Sequence, residues 1–356
     1  MSKRIIFIAP YPIGQAPSQR FRFEQYLELL RKEKFEIQFH SFLNTKTWNK
    51  LYNQGSFFGK VFGIIGSFWR RFILLFKIRR TDYIFIHREA SMVGPPVFEW
   101  IIAKILRKKY IYDFDDAIWL PNYSQSNEKF HKLKAYGKIK RIIKWADSVT
   151  AGNKFLKKYA EQYNKNVRIL PTTIDLVNLH NICTIQNDTD INIGWTGTHT
   201  TLEYLTEIIP ILQELEKDYQ FTFIVISNQK PDIELKSLRY IPWNKETEIQ
   251  DLSKINIGIM PLKDDQWAEG KCGFKGLQYM ALEIPSILSP VGVNEEIVTH
   301  NINGILCSSA QEWKEALTKL ITNKEFREEL GKKGRQVISE RYSTAANKEI
   351  YLNLFA

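Results

Sequence analysis

Asp264 to Val298 reads DDQWAEGKCGFKGLQYMALEIPSILSPVGVNEEIV, and its punctuation predicts a loop, a helix, a strand and a second loop in succession. Just ahead of it, Ile255 to Leu262 (INIGIMPL) is an apolar run rich in β-branched residues and closed by a proline, the pattern of a buried parallel strand. Gly270 and Gly273 loosen the loop, and Phe274, Leu277, Met280, Ala281 and Leu282 then recur at helical spacing. The free N–H groups at that helix start suit a phosphate or another anion, and Lys271 and Lys275 add full charges beside them. The helix should stop before Pro285, Ser286 to Leu288 supplies a short strand, and Ser289-Pro290-Val291-Gly292 makes a second turn at the same sheet edge. Strand, loop and helix repeated in this way predict an α/β doubly wound sheet.

Gly270 to Gly292, GKCGFKGLQYMALEIPSILSPVG, resembles the donor-site segment of GT-B glycosyltransferases of family 4, in which a Glu-x₇-Glu motif opens a loop and helix. Laid on that pattern, Gly270 takes the first glutamate's position with Glu269 one residue early, and Gln278 takes the second. The resemblance implies that Glu269, Lys271, Cys272, Gly273, Phe274 and Gln278 line the nucleotide-sugar donor, with Lys275 a catalytic residue that neutralises the leaving diphosphate. A glutamine still hydrogen-bonds a hydroxyl while losing the charge of the usual acid. The resemblance also implies two Rossmann-like domains facing a central cleft, retention of configuration at the anomeric carbon, and no cofactor or metal, the nucleotide-sugar being substrate.

At 356 residues and 44% hydrophobic content, the chain exceeds one ordinary core and suits two α/β domains. The expected boundaries are 1–172, 173–335, and a tail at 336–356 that, by resemblance, crosses back to the first domain. Cys183, Cys272 and Cys307 lie far apart, so neither a disulfide framework nor a zinc site is indicated, and the expected home is the cytoplasm. The start MSKRIIFIAP enters a short strand-like run with no signal-peptide pattern, and no window reaches the roughly 20 apolar residues of a membrane span. Charge is divided unequally. Met1 to Leu170 holds 32 Lys and Arg against 13 Asp and Glu, a net +19, and the remainder holds 18 against 26, a net −8. A basic front half implies an anionic partner, and with no nucleic-acid recognition signature in the chain the expected partner is a phospholipid surface at the inner face of the cell membrane.

Residues 55–80, GSFFGKVFGIIGSFWRRFILLFKIRR, sharpen that expectation, with six basic residues and no acidic one. Phe58, Val61, Phe62, Ile65, Phe68, Trp69, Phe72 and Phe76 recur at helical spacing, bordered by Arg70, Arg71, Lys77, Arg79 and Arg80. The segment reads either as a helix lying in a headgroup layer or as a core helix with a basic edge.

Arg4 to Pro10 reads as the first strand, followed by a loop with Gly14 and a helix from about Gln19 capped by Ser18. In GT-B proteins this loop lies near the donor phosphates, which brings in Gly14 and Arg20, with Arg22 a further guanidinium suited to phosphate. Tyr83 to His87 and Tyr110 to Phe114 are strands ending in His87-Arg88-Glu89 and Asp113-Phe114-Asp115-Asp116. The acidic cluster suggests a metal site of the Asp-x-Asp kind, but the resemblance to GT-B points away from a metal. By resemblance Asp115 falls near a histidine that faces the donor sugar, which makes it a catalytic candidate; a structural role, with an aspartate paired to Arg88, is the other reading.

In the second half, Ile191 to Trp195 opens a strand and Thr196-Gly197-Thr198-His199-Thr200 is the turn before a helix expected from about Leu202, a place where backbone N–H groups meet a phosphate. Thr196, Gly197 and Thr198 are donor-binding candidates. The combined expectation is a glycosyltransferase that moves a sugar from a nucleotide-sugar to a lipid-linked or polysaccharide acceptor at the membrane face, as in cell-surface glycan biosynthesis. A GT-B nucleotide-sugar epimerase and a non-catalytic GT-B binding subunit are the alternatives.

Overall fold

A computed structural model describes residues 3–52, 57–121 and 134–356, which divide into two compact units, 1–172 with 348–356, and 173–347. Each is built on a six-stranded, all-parallel sheet. In the first the strands are β1 (Arg4–Ala9), β2 (Glu36–Ser41), β3 (Tyr83–His87), β4 (Ile111–Phe114), β5 (Ser148–Ala151) and β6 (Val167–Ile169), in spatial order β2-β1-β3-β4-β5-β6. In the second they are β7 (Asn192–Gly197), β8 (Thr222–Ser227), β9 (Leu238–Pro242), β10 (Ile257–Met260), β11 (Ser286–Leu288) and β12 (Ile305–Leu306), in order β12-β11-β10-β7-β8-β9. Both orders reverse once, at β1/β3 and at β7/β10. Helices cover both faces of such sheets, which is why β1, β3 and β10 read as largely apolar runs, while β4 is interrupted by Asp113. β2 escaped the sequence reading because it is an edge strand whose residues are half-exposed or exposed, and β12 is only two residues long.

The tail differs from expectation. Residues 336–347 pack in the second unit, and only 348–356 belong to the first. There Tyr351 stacks on Tyr26 at 4.0 Å between ring centroids, and Phe355 sits among Phe7, Tyr83 and Phe85. Tyr351 and Phe355 are both fully buried, so each adds roughly 1.5–3 kcal/mol of apolar burial to a sheet formed by residues far earlier in the chain. The helix expected from about Gln19 with Ser18 as its cap is a four-residue turn, Pro17–Arg20, with proline at its first position and no side-chain cap.

Residues 57–78 of the basic apolar segment form one helix, Phe57–Ile78; Gly55 and Ser56 lie outside the described residues. One side of it is seated on the first unit through Ser67, Arg71, Leu74, Leu75 and Ile78, and Gly63 lets it approach Thr47, whose methyl group would lie 2.6 Å from an added Cβ. Arg71 is therefore not part of an exposed border. It is buried and donates to the carbonyls of Ala9 at 2.7 Å, His40 at 2.8 Å and Ala90 at 2.7 Å, and burial pushes its pKa down to about 9. Arg70 in turn donates to the Phe42 carbonyl at 3.0 Å and to Ser67 Oγ at 2.8 Å.

Candidate functional site

In the second unit the loops after β7, β10 and β11 emerge side by side, because those three strands are neighbours in the sheet. The strand order reverses between β7 and β10, and in open parallel sheets that switch point leaves a crevice at the carboxyl ends of the strands. Sequence positions about 100 residues apart are brought together here. Tyr279 stands on the helix Phe274–Ala281, and its hydroxyl accepts from the Thr196 N–H at 3.0 Å, pinning the end of β7 to that helix. Burial holds the Tyr279 phenol protonated far above neutrality, which keeps it a neutral strut.

The phosphate-type features lie around this strut. Thr198 caps the 3₁₀ helix His199–Leu205 in a capping box with Thr201, so the expected helix begins three residues earlier than predicted and in the tighter form. Gly273, at φ +66°, precedes the first turn of the Phe274–Ala281 helix. The ammonium of Lys275 lies 5.2 Å from the centroid of Trp195, and that of Lys271 lies 5.5 Å from Tyr204 and 5.8 Å from Trp267. Both lysines are half-buried, and the aromatic faces hold their charges close to the strand ends instead of letting them range through solvent. The loop after β11 is locked to the loop after β10. Gly292 has φ +57°, and an added Cβ would come within 2.9 Å of the Glu269 carbonyl oxygen, a contact only glycine permits. Leu262 N donates to Ser289 Oγ at 2.9 Å, and Asn294 Nδ2 to the Ser289 carbonyl at 3.0 Å. Cys272 is buried in this loop, and Glu269 ends the short helix Gln266–Glu269.

Two buried donors in the same region have no hydrogen-bond partner among the described residues, the side-chain amide Nε2 of Gln278 and the indole Nε1 of Trp195. Unmet buried donors are uncommon and costly, on the order of 1–3 kcal/mol each. In the sequence Trp195 is only the apolar end of a strand, and nothing local to β7 signals a cation over its ring.

In the first unit the sheet-end residues are already engaged with one another. The Gly14 N–H donates to Glu24 Oε2 at 2.7 Å, and Gln19 binds the Tyr11 amide and carbonyl at 2.9 and 3.0 Å. Arg20 is buried, its guanidinium 5.0 Å from the Phe21 ring. Arg22, read as a phosphate ligand, is instead a buried structural cation that pairs with Asp113 and donates to the Leu170 carbonyl. Asp113 also takes His87 Nδ1 at 2.7 Å and Thr150 Oγ1 at 2.7 Å. Burial works to raise the Asp113 pKa, but the Arg22 charge and the His87 hydrogen bond hold it far below the usual carboxylate range. The members of this Arg22–Asp113–His87–Thr150 network come from four separate segments, so no local pattern marks them as a unit.

Asp115 and Asp116 both pair with Arg88, at 2.7 and 2.5 Å. Burial opposes the Arg88 charge, and the two carboxylates outweigh it, so the guanidinium stays fully protonated. Arg88 occupies the left-handed region at φ +59°, an uncommon conformation for arginine that turns its side chain from the end of β3 to the end of β4.

Comparison with known proteins agrees with this architecture. Residues 191–323 match the family model described as glycosyl transferases group 1. An uncharacterised glycosyltransferase of Methanocaldococcus jannaschii is 25% identical over 312 residues, covering 81% of this chain and 78% of that protein. Among solved structures, sucrose-phosphate synthase of Thermosynechococcus elongatus superposes with a TM-score of 0.70 at 12% identity, covering 99% of each chain. Anabaena HepE, solved with UDP and glucose, gives 0.64 at 13% identity, again covering 99% of each chain. Residues 191–323 of the second unit thus match group 1 glycosyl transferases, and the chain as a whole has the fold of GT-B glycosyltransferases.

Proposed function

We propose that the chain transfers a sugar, with retention of configuration as in family 4, from a nucleotide-sugar bound at the carboxyl ends of β7, β10 and β11 to a lipid-linked or polysaccharide acceptor at a membrane surface. The observation that carries the reading is the convergence of two lysines, two helix starts and the unpartnered Gln278 amide on one sheet edge within the matched domain. As the donor bond breaks, negative charge grows on the departing diphosphate, and Lys271, Lys275 and the adjoining backbone N–H groups stabilise it where it develops. Thr196, Gly197 and Thr198 contribute backbone at the same edge, Gln278 binds a ligand hydroxyl or carbonyl oxygen, and Glu269, Cys272, Gly273 and Phe274 shape the loop. Asp115, aimed by Arg88, orients the acceptor on the first unit. The diphosphate is neutralised by protein cations, so turnover is expected to survive EDTA.

The relatives support UDP as the first probe, since HepE is solved with UDP and with UDP-glucose. A thermal-shift screen across UDP, ADP and GDP tests the binding half of the reading, because a ligand that binds only the folded state raises the melting temperature. Release of free sugar or transfer to an acceptor from UDP-sugars by the purified protein tests the catalytic half. Binding without turnover favours a non-catalytic subunit, the alternative supported by Gln278 standing where the family has an acid. Epimerised donor in the absence of acceptor favours an epimerase. Activity abolished by EDTA and restored by manganese or magnesium would refute the metal-independent mechanism.

A further inference from the structure

The Phe57–Ile78 helix leaves a continuous stripe of large apolar side chains in solvent on the side away from Arg71: Phe58, Phe62, Ile65, Trp69, Phe72 and Phe76. Phe58 is 71% exposed and Phe62 70%, so these rings are outside the core in earnest. A second helix behaves in the same way. Val97–Trp100 continues through a π turn at Ile101–Ile105, and while Phe98, Glu99 and Ile102 are buried, Trp100 is 43% and Ile105 59% exposed. The two helices are neighbours. Phe68 and Phe98 meet at 5.9 Å between centroids, and Lys108 Nζ donates to the Thr81 carbonyl at 3.0 Å just past the end of the first helix.

Charge says which partner this surface fits. Residues 57–81 and 100–112 contain no Asp or Glu, while Lys77, Arg79, Arg80, Lys104 and Arg107 are exposed around them. Exposed apolar surface with a basic border matches an anionic lipid leaflet, where rings enter the headgroup layer and cations meet phosphates. A second copy of the chain fits poorly, because a twofold interface sets the same patch against itself and its cations against cations. Packed helices lie about 8–10 Å apart, so a leaflet that receives the first comes within reach of the second.

We propose that Trp100 and Ile105 contact the same anionic phospholipid surface as the Phe57–Ile78 stripe, giving the first unit a two-helix docking face. The proposal rests on the reading of the Phe57–Ile78 helix as membrane-facing.

Flotation with phosphatidylglycerol–phosphatidylcholine vesicles, and with phosphatidylcholine alone, tests it. Wild-type protein is expected to float with the anionic vesicles, with binding that falls but does not vanish as salt rises. Phe62→Ser/Phe72→Ser should lower vesicle affinity at least tenfold, and Trp100→Ser/Ile105→Ser about three- to tenfold. A fluorophore on Ile105→Cys in a Cys183→Ser background reads the contact without deleting apolar surface, since the other two cysteines are buried, and its emission should shift to the blue on anionic vesicles. If the first pair of substitutions loses binding while the second pair and the fluorophore are unaffected, the second helix is not a contact and the membrane reading stands. If wild-type protein ignores anionic vesicles at low salt, both fall. A dimer in solution that Trp100→Ser/Ile105→Ser dissociates, without vesicle binding by the wild type, makes the occupant a second copy and overturns the proposal.

Discussion

Lys271→Ala and Lys275→Ala bear most directly on the donor-site chemistry. Each ammonium is half-buried and rests on an aromatic face, 5.5 Å from Tyr204 and 5.2 Å from Trp195 respectively, so neither has to be ordered from solvent when a diphosphate arrives. A charge-assisted hydrogen bond contributes about 1.5–3 kcal/mol, so each substitution is expected to weaken UDP binding by roughly 10- to 150-fold. The fold should change little. Losing a cation over an aromatic face costs about 0.5–1 kcal/mol at a partly exposed site, a few degrees in melting temperature. Titration calorimetry with UDP at low ionic strength, beside thermal unfolding of the free proteins, separates the two effects. Lys275→Arg should keep part of the affinity, since it keeps the charge but changes its geometry. Wild-type affinity in both alanine variants, with the proteins folded, would refute the assignment of the diphosphate to this edge.

Gly292→Ala combines an unfavourable left-handed conformation with a 2.9 Å approach to the Glu269 carbonyl; a loss of about 1–3 kcal/mol of stability in urea, together with weaker UDP binding, is expected, and neither effect would mean the two loops are not locked. Asp113→Asn leaves the buried Arg22 charge without its counter-ion, and urea denaturation should show a loss of about 3–5 kcal/mol; a loss under 1 kcal/mol would mean the network contributes little. His40, pushed down to about 4 by burial and by Arg71 and Lys77, stays neutral in the folded chain while the unfolded chain takes up a proton below its ordinary value near 6.5, so stability should fall as pH drops from about 6.5 toward 4. His40→Gln should flatten that part of a melting-temperature profile, and an unchanged slope would count against the histidine. The Asp113 contribution has a lower window, present above about pH 4 and lost as pH falls further, which keeps the two groups distinguishable.

The sequence by itself determined the class of the fold and the loop-helix-strand succession between β10 and β11. Apolar strands such as RIIFIA and YIFIH, with turn residues between them, allow few arrangements other than parallel sheets covered by helices, because an unbroken apolar strand has to be buried on both faces. The period of the Phe57–Ile78 stripe was legible for a similar reason, since helical spacing alone puts Phe58, Phe62, Ile65, Trp69, Phe72 and Phe76 on one side. Which side faces solvent was not legible. Tertiary packing decided it by turning Arg71, one arginine of an adjacent pair, inward onto three strand-end carbonyls and leaving the rings outside. The same limit applies to the charged residues at the sheet ends. Arg20, Arg22, Arg88 and the aspartates of DFDD look equally available in the chain, and only the parallel register that sets His87 beside Asp113 assigns Arg22 to Asp113 and Arg88 to Asp115 and Asp116. Local pattern governs what depends on neighbours three or four residues away. The Arg22–Asp113 pair joins residues 91 positions apart, and that distance is closed only by the folded sheet.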